Sequence, residues 1–411
     1  MSLPIYAGGS TGYGEGGLGG HLRFLCEAAR RAERDVHVLC RGRPGGGPQD
    51  ALAPCEAIPA PGWADWVKVT PFRWSTALQT RWLGEQFDRQ AARRLPAERP
   101  VIYHSFPGFA EESFRKVKQS GGIAVLEAAT THAGHVYAVT EAEHRRYGIG
   151  GSPFSAEWVR RAEREYRLAD YITVASELQR RTFLERGFPS DKLLYAPLGV
   201  DTGRFSPPAD SSRSWHPQAP FRIVQVGQIS LRKGFVYLLE AVRKLQDPRI
   251  EIVLVGGVGR RGIRRMLERY RQMGLNIRQA GGDPLPYLRS AHLYVHSSVE
   301  DGFGLAPLEA MATGLPVIVT DQTGMQDLVT DGRDGVIVPS RDAHRIADSI
   351  AWLMSDENAR LSMGLAAAKQ AAQYDAKACM RAYAAALLPA WGRTDAEASG
   401  EGGLRLVSAR T

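Results

Sequence analysis

Short runs of β-branched and apolar residues alternate along this chain with segments of helical period, and the clearest runs end at glycine. Phe221–Val226 (FRIVQV) stops at Gly227, and Ile250–Val255 (IEIVLV) stops at Gly256 and Gly257. Between them, Leu238, Leu239 and Val242 share one face of a helix over Phe235–Leu245, and a basic amphipathic helix follows to about Met273. Further strands are predicted at Asn276–Gln279, Leu293–His296, Pro316–Thr320 and Gly335–Val338. Strands that are apolar throughout need cover on both faces, so the alternation predicts parallel sheets between helical layers. The N-terminal half repeats the style at Leu3–Tyr6, Asp35–Leu39, Val101–His104, Gly122–Leu126, Tyr171–Val174 and Lys192–Tyr195, with helices notably over Leu18–Ala32 and Ser155–Ala169. Sheets of this kind bind ligands beyond the carboxyl ends of their strands.

The segment 206–220 (SPPADSSRSWHPQAP) joins proline, serine and charge and reads as a linker between a first domain, 1–205, and a second, 221–375. A terminal helix over 376–391 could return to the first domain, and 392–411 reads as a flexible tail. The stretch from about Arg41 to Thr70, rich in Gly, Pro and Ala, reads as an irregular excursion. A length of 411 residues suits two or three domains, and 44% hydrophobic with 23% charged residues excludes a mainly disordered chain. No apolar run approaches the roughly 20 residues that span a bilayer, and the first residues lack a basic region followed by an apolar stretch. A cytoplasmic protein is therefore expected. The four cysteines, Cys26, Cys40, Cys55 and Cys379, form no CxxC pair and read as buried apolar residues.

The net charge of +8 suits acidic partners: phosphorylated substrates, anionic membrane or nucleic acid. Arg160, Arg161, Arg164 and Arg167, and again Arg260, Arg261, Arg264 and Arg265, are spaced as on helices, as a solvated helix face would also have them. Peripheral contact with anionic lipid is an expectation that rests on Arg160–Arg167 and Arg115–Lys118. No helix-turn-helix, RNP or zinc-finger pattern supports nucleic-acid binding.

Four stretches carry chemistry. In Val299–Gly314 (VEDGFGLAPLEAMATG) the carboxylates Asp301 and Glu309 are eight residues apart around Gly302-Phe303-Gly304 and a helix from about Leu305. Glycines before a helix let backbone N–H groups converge on an anion, and the helix N-terminus adds positive potential. The two carboxylates could then accept hydrogen bonds from hydroxyls at either end of a phosphate-bearing ligand; a tight turn capping a core helix would look similar. In Val226–Gly234 (VGQISLRKG), Arg232 and Lys233 stand between strand end and helix start, where two cations could neutralise a diphosphate or simply be surface charges. Gly12–Gly20 (GYGEGGLGG) precedes the first long helix and lets a ligand approach the backbone, without the dinucleotide fingerprint. In Thr130–His135 (TTHAGH), His132 and His135 lie three apart with no third metal ligand nearby, which favours a polar histidine reaching into a cleft over a metal site.

Together these stretches resemble the retaining glycosyltransferases of family 4, which have the GT-B fold: two doubly wound Rossmann-like α/β domains facing each other across a cleft. EDGFGLAPLEAMATGLPVIVTDQTG is similar to the family's E-x7-E region, with Asp301 at the first acid and Glu309 at the second. VGQISLRKGFVYLLEAV is similar to its diphosphate-binding strand–loop–helix, with Lys233 at the family lysine; GEGGLGGHL resembles its glycine loop, and TTHAGH places His132 at its sugar-contacting histidine. LLYAPLGVDTGRFSP is similar to the segment closing the first domain. The resemblance is strongest over about 221–342 and looser over about 12–207. Two departures stand out. Asp301 replaces the usual glutamate, with Glu300 beside it, and Gln228 stands where arginine is common, so that Arg232 would supply the missing charge.

The resemblance implies an enzyme that moves a hexose-type sugar from a nucleotide-diphospho-sugar to an acceptor hydroxyl, in polysaccharide, glycolipid or glycoconjugate synthesis. Glu309 would hold the ribose. Asp301, Gly302, Phe303, Gly304 and Leu305 would hold the sugar and its phosphate. Lys233 and Arg232, beside Gly227 and Gln228, would face the diphosphate; Gly17 and Gly19 would approach from the other domain, and His132 would touch the sugar. The cationic site would stand in for magnesium, so neither metal nor cofactor is expected. Asp301 is not assigned as a covalent nucleophile, because the acceptor can attack from the face the leaving group vacates. A GT-B epimerase and a non-catalytic nucleotide-sugar-binding protein are the alternatives.

Overall fold

The computed structural model describes residues 3–14, 16–42, 55–60, 76–150, 152–208, 213–259 and 261–392. Most of the excursion from Arg41 to Thr70, four residues of the linker and the tail beyond Gly392 lie outside the described residues.

In the first half, β1 (Ile5–Gly12), β2 (Val36–Gly42), β3 (Cys55–Ala57), β4 (Ile102–Ser105), β5 (Ile123–Glu127), β6 (Tyr171–Val174) and β7 (Leu193–Tyr195) form one sheet in the order β3-β2-β1-β4-β5-β6-β7. Every pairing in it is parallel. Its helices are α1 (Gly16–Arg31), α2 (Thr76–Arg94), α3 (Glu111–Gln119), α4 (Ala133–Arg146), α5 (Ala156–Leu168) and α6 (Glu177–Leu184). In the second half, β8 (Phe221–Val226), β9 (Ile250–Val255), β10 (Asn276–Ala280), β11 (Leu293–His296), β12 (Val317–Thr320) and β13 (Val336–Val338) run parallel in the order β10-β9-β8-β11-β12-β13. The helices there are α7 (Phe235–Leu245), α8 (Arg261–Gln272), α9 (Leu285–Ser290), α10 (Leu305–Ala312), α11 (Ala343–Ser355) and α12 (Glu357–Ala371), followed by α13 (Ala376–Ala386) and α14 (Leu388–Trp391).

Strand order reverses between β1 and β4 and again between β8 and β11. At such a switch the flanking helices diverge to opposite faces and leave a crevice at the carboxyl edge. The turns after β1, β8 and β11 that hold the glycines, Lys233 and Asp301 therefore all open at these two points. One apolar cluster runs from the first sheet through to the α10 side of the second; another fills the opposite face of the second sheet.

The strand β1 runs six residues beyond the predicted Leu3–Tyr6, through GGSTG. Those residues carry no apolar signal, yet they pair with β2 and β4, and a Cβ at Gly8 would overlap the Tyr103 hydroxyl. After the second sheet the chain recrosses: Ala376 N–H donates to the Val200 carbonyl (2.7 Å), α13 lies against α1, and Tyr383 Oη donates to Glu127 Oε2 (2.6 Å). The two halves also touch directly. Glu143 of α4 accepts from Tyr237 (2.7 Å) and Arg341 (2.6 Å), and Ser176 Oγ donates to the Gly302 carbonyl (2.5 Å).

Candidate active site

The loop after β8 folds tightly because Gly234 sits at φ 64°, where a Cβ would overlap the Ser297 carbonyl oxygen. This close approach lays the loop against the end of β11: Val299 N–H donates to the Arg232 carbonyl (2.9 Å), and Gln225 Nε2 holds the Lys233 carbonyl (2.6 Å). The Lys233 side chain consequently meets Asp301 Oδ2 in an ion pair. His296 Nε2 lies 2.9 Å from the same oxygen. A carboxylate only accepts, so His296 Nε2–H is the donor. Burial alone would raise Asp301, but Lys233, the His296 hydrogen bond and Arg232 outweigh it and hold the carboxyl well below its usual range. Burial lowers Lys233 despite its partner, so the ammonium gains from any further anion brought to it.

The chain then turns through Gly302-Phe303-Gly304 into α10. Gly304, at φ 101°, is the N-cap residue, and no side chain caps this terminus. Uncapped first-turn N–H groups and the helix dipole together attract an anion. Phe303 is buried and anchors the turn, while Leu305 opens the helix. Glu309, one turn on, is raised to about 7 chiefly by burial, with Arg204 opposing and Asp283 reinforcing. Burial raises Tyr294 of β11 well above the usual phenol range, and Glu309 and Asp301 reinforce it.

Arg232 is committed elsewhere. Its guanidinium pairs with Glu300 Oε2 (2.9 Å), and the other oxygen of that fully buried carboxylate accepts from Thr131 N–H (3.1 Å) and Oγ1 (2.8 Å) across the domain seam. Gly227 backs the Lys233 side chain, and Gln228 is exposed beside Gly259. In the other half, Gly17 faces open space in the first turn of α1, and Gly19 is buried where a Cβ would overlap the Gly12 carbonyl oxygen. His132 is the N-cap residue of α4; its ring packs among Tyr166, Phe183 and Phe188, and Nδ1 accepts from Gly134 N–H (3.0 Å). The structure thus gathers Lys233, Asp301, His296 and the α10 terminus into one cluster. It ties Arg232 to the seam and sets the His132 ring against Tyr166, Phe183 and Phe188 of the first half.

His296 is read from the sequence only as a strand end, and Glu300 is noted only as the neighbour of Asp301. A histidine closing an apolar strand (LYVH) is the signal that could have found the first; the second depends on Thr131, 169 residues away. Among the described residues, no group of three or more His, Cys, Asp or Glu is placed to hold a metal, and no helix is long and apolar enough to cross a membrane. The arginines Arg160, Arg161 and Arg164 of α5 pair with Glu157 (2.5 Å), Asp88 (2.5 Å) and Glu111 (2.9 Å).

Residues 15–204 match the family model Glycosyltransferase Family 4, and residues 209–370 match Glycosyl transferases group 1. A D-inositol 3-phosphate glycosyltransferase of Corynebacterium urealyticum is 28% identical over 212 residues, 46% of this chain and 50% of that protein. A GDP-mannose-dependent alpha-(1-6)-phosphatidylinositol monomannoside mannosyltransferase of Mycolicibacterium smegmatis is 24% identical over 330 residues, 71% of this chain and 84% of that protein. The chain spans about half the length of the first curated relatives it matches. Among solved structures, Anabaena Alr3699/HepE in complex with UDP and glucose superposes with a TM-score of 0.68 at 17% identity, covering 94% of this chain and 99% of that one.

Proposed function

The chain belongs to the family 4 glycosyltransferases of GT-B fold, and we propose that it moves a hexose from a nucleotide-diphospho-sugar to an acceptor hydroxyl with retention at the anomeric carbon. The observation that carries this reading is the Lys233–Asp301 pair set at the uncapped N-terminus of α10, at the switch point of the second sheet. Breaking the anomeric C–O bond puts negative charge on the departing diphosphate and positive charge on the sugar. Lys233 and the α10 amides offer fixed positive potential to that leaving group, and Asp301 offers its carboxylate to the sugar hydroxyls. Glu309, ionised, accepts from the ribose hydroxyls. Arg232 acts through its bond to Glu300, whose other oxygen accepts from Thr131, and so ties the two halves together around the donor.

A cation and helix dipole at the leaving group make a metal dispensable in this scheme. The GDP-mannose dependence of the Mycolicibacterium relative supports a nucleotide-sugar donor, and the phosphatidylinositol monomannoside in its name supports a glycolipid acceptor. The test is to offer UDP-, GDP- and ADP-hexoses with glycan and lipid-linked acceptors and to read the product by NMR. Transfer with the donor's anomeric configuration is expected; an inverted product, isomerised donor or no donor consumption would each overturn the proposal.

A further inference from the structure

The first half carries a second cationic hollow. A cavity of about 530 Å³ lies between α5 and the segment after α6, lined by His132, Glu163, Arg167, Arg186, Phe188 and Lys192 among others. Its charges differ from those beside them. Arg160, Arg161 and Arg164 on the same helix as Arg167 are each neutralised by a carboxylate within 3.0 Å. Among the described residues, Arg167, Arg186 and Lys192 have no carboxylate partner; Arg186 Nη1 donates to the Thr182 carbonyl (3.0 Å) and Lys192 Nζ to the Arg167 carbonyl (3.3 Å). With Glu163 as the one acid in the wall, three cations leave a surplus of two positive charges.

The imidazole in this wall supplies the second observation. His132 is 1% exposed, and burial, reinforced by Arg186 and His135, lowers it to about 3, so the ring is neutral. Its Nδ1 is an acceptor, because Gly134 N–H donates to it; the proton of the neutral ring therefore sits on Nε2. That Nε2–H is buried and has no acceptor among the described residues. A buried donor without an acceptor is destabilising, and an anion in the hollow would relieve it while neutralising the cations. The volume exceeds that of a phosphate alone and leaves room for an attached organic group.

We propose that this hollow binds a phosphate monoester, held by Arg167, Arg186 and Lys192 and by the Nε2–H of His132. A dianion matches the surplus charge, and phosphate oxygens suit the guanidinium forks. The monoester can belong to a soluble metabolite or to a lipid headgroup. The site shares no residue with the Lys233–Asp301 cluster, and its fate is separate from that of the donor reading.

The test uses the full chain as Lys233→Ala, so that phosphate bound at the donor cluster does not confuse the reading. Inorganic phosphate and glycerol 3-phosphate are titrated by calorimetry, with and without Arg186→Gln and Lys192→Gln. The expected result is binding by Lys233→Ala that weakens at least tenfold when Arg186 and Lys192 lose their charges. In the wild-type chain labelled with ¹⁵N-histidine, the Nε2 resonance that His132→Asn deletes should shift on adding phosphate. Co-sedimentation with phosphatidylcholine vesicles containing phosphatidic acid separates the sources: uptake that needs Arg186 and Lys192 makes the ligand a lipid, and binding of the soluble monoester alone makes it a metabolite. Phosphate affinity indifferent to both substitutions, or an unmoved His132 resonance, would overturn the site.

Discussion

Two carboxylates eight residues apart are tuned in opposite directions. Asp301 stays ionised because Lys233 and His296 face it, whereas burial lifts Glu309 to about 7. Glu309 therefore has a pH signature. A carboxyl raised on folding contributes stability that is present below about 4.5 and is lost as pH rises through about 7. Glu309→Gln removes that loss, so its thermal midpoint should gain on wild type steadily between those pH values; parallel curves would remove the assignment. In the proposed donor pose the sign reverses, because the ribose hydroxyls would donate to the ionised carboxylate. Donor KM should fall as pH rises through about 7 in wild type, and Glu309→Gln should raise it about 10- to 100-fold and flatten the trend, as expected for a lost hydrogen bond to a charged group. Lys233 also makes the metal question decidable: transfer should survive EDTA, and abolition reversed by magnesium would show that the ammonium does not stand in for a cation.

At the scale of elements, the loop between β8 and α7 depends on Gly234. Gly234→Ala places a Cβ against the Ser297 carbonyl at a left-handed φ, which should cost ~2 kcal/mol or more in urea unfolding and should lower turnover by displacing Lys233. Unchanged stability would show that the two strand ends are not pressed together. The elements also show what a sequence can reveal. The expected bounds of β8 match the structure, because its β-branched and apolar residues stand between the polar linker and Gly227. The second half of β1 was not expected, because GGSTG becomes a strand only through its neighbours, Cys40 on one side and Ser105 on the other. The Asp301–Glu309 motif was legible because turn, helix and both acids are local. Arg232 was assigned to the diphosphate from position alone, while its partner, Glu300, is itself fixed by Thr131 on another domain. The orientation of His132 follows from its N-cap bond and three aromatic neighbours from α5, α6 and the segment after α6, a contact set that TTHAGH does not encode.

Over the whole molecule, the C-terminal helices fasten the halves together. Glu127, buried at the end of β5, accepts from Tyr383 (2.6 Å), Thr173 (2.5 Å) and His104 (3.2 Å), with His21 of α1 at 3.5 Å. Burial alone would raise it, but His104 and His21 hold it far below the usual carboxylate range. Tyr383→Phe takes one donor from a buried charge and should cost about 1–3 kcal/mol in urea unfolding; an unaltered midpoint would detach α13 from the first half. The central claim is that the crevice between these halves holds a pyrophosphate ester against Lys233. Calorimetric titration of UDP, GDP and ADP into wild type and Lys233→Ala tests it most directly. At least one nucleoside diphosphate should bind wild type, and the substitution should weaken it tenfold or more; no binding by any of the three, or equal binding by both proteins, would contradict the account.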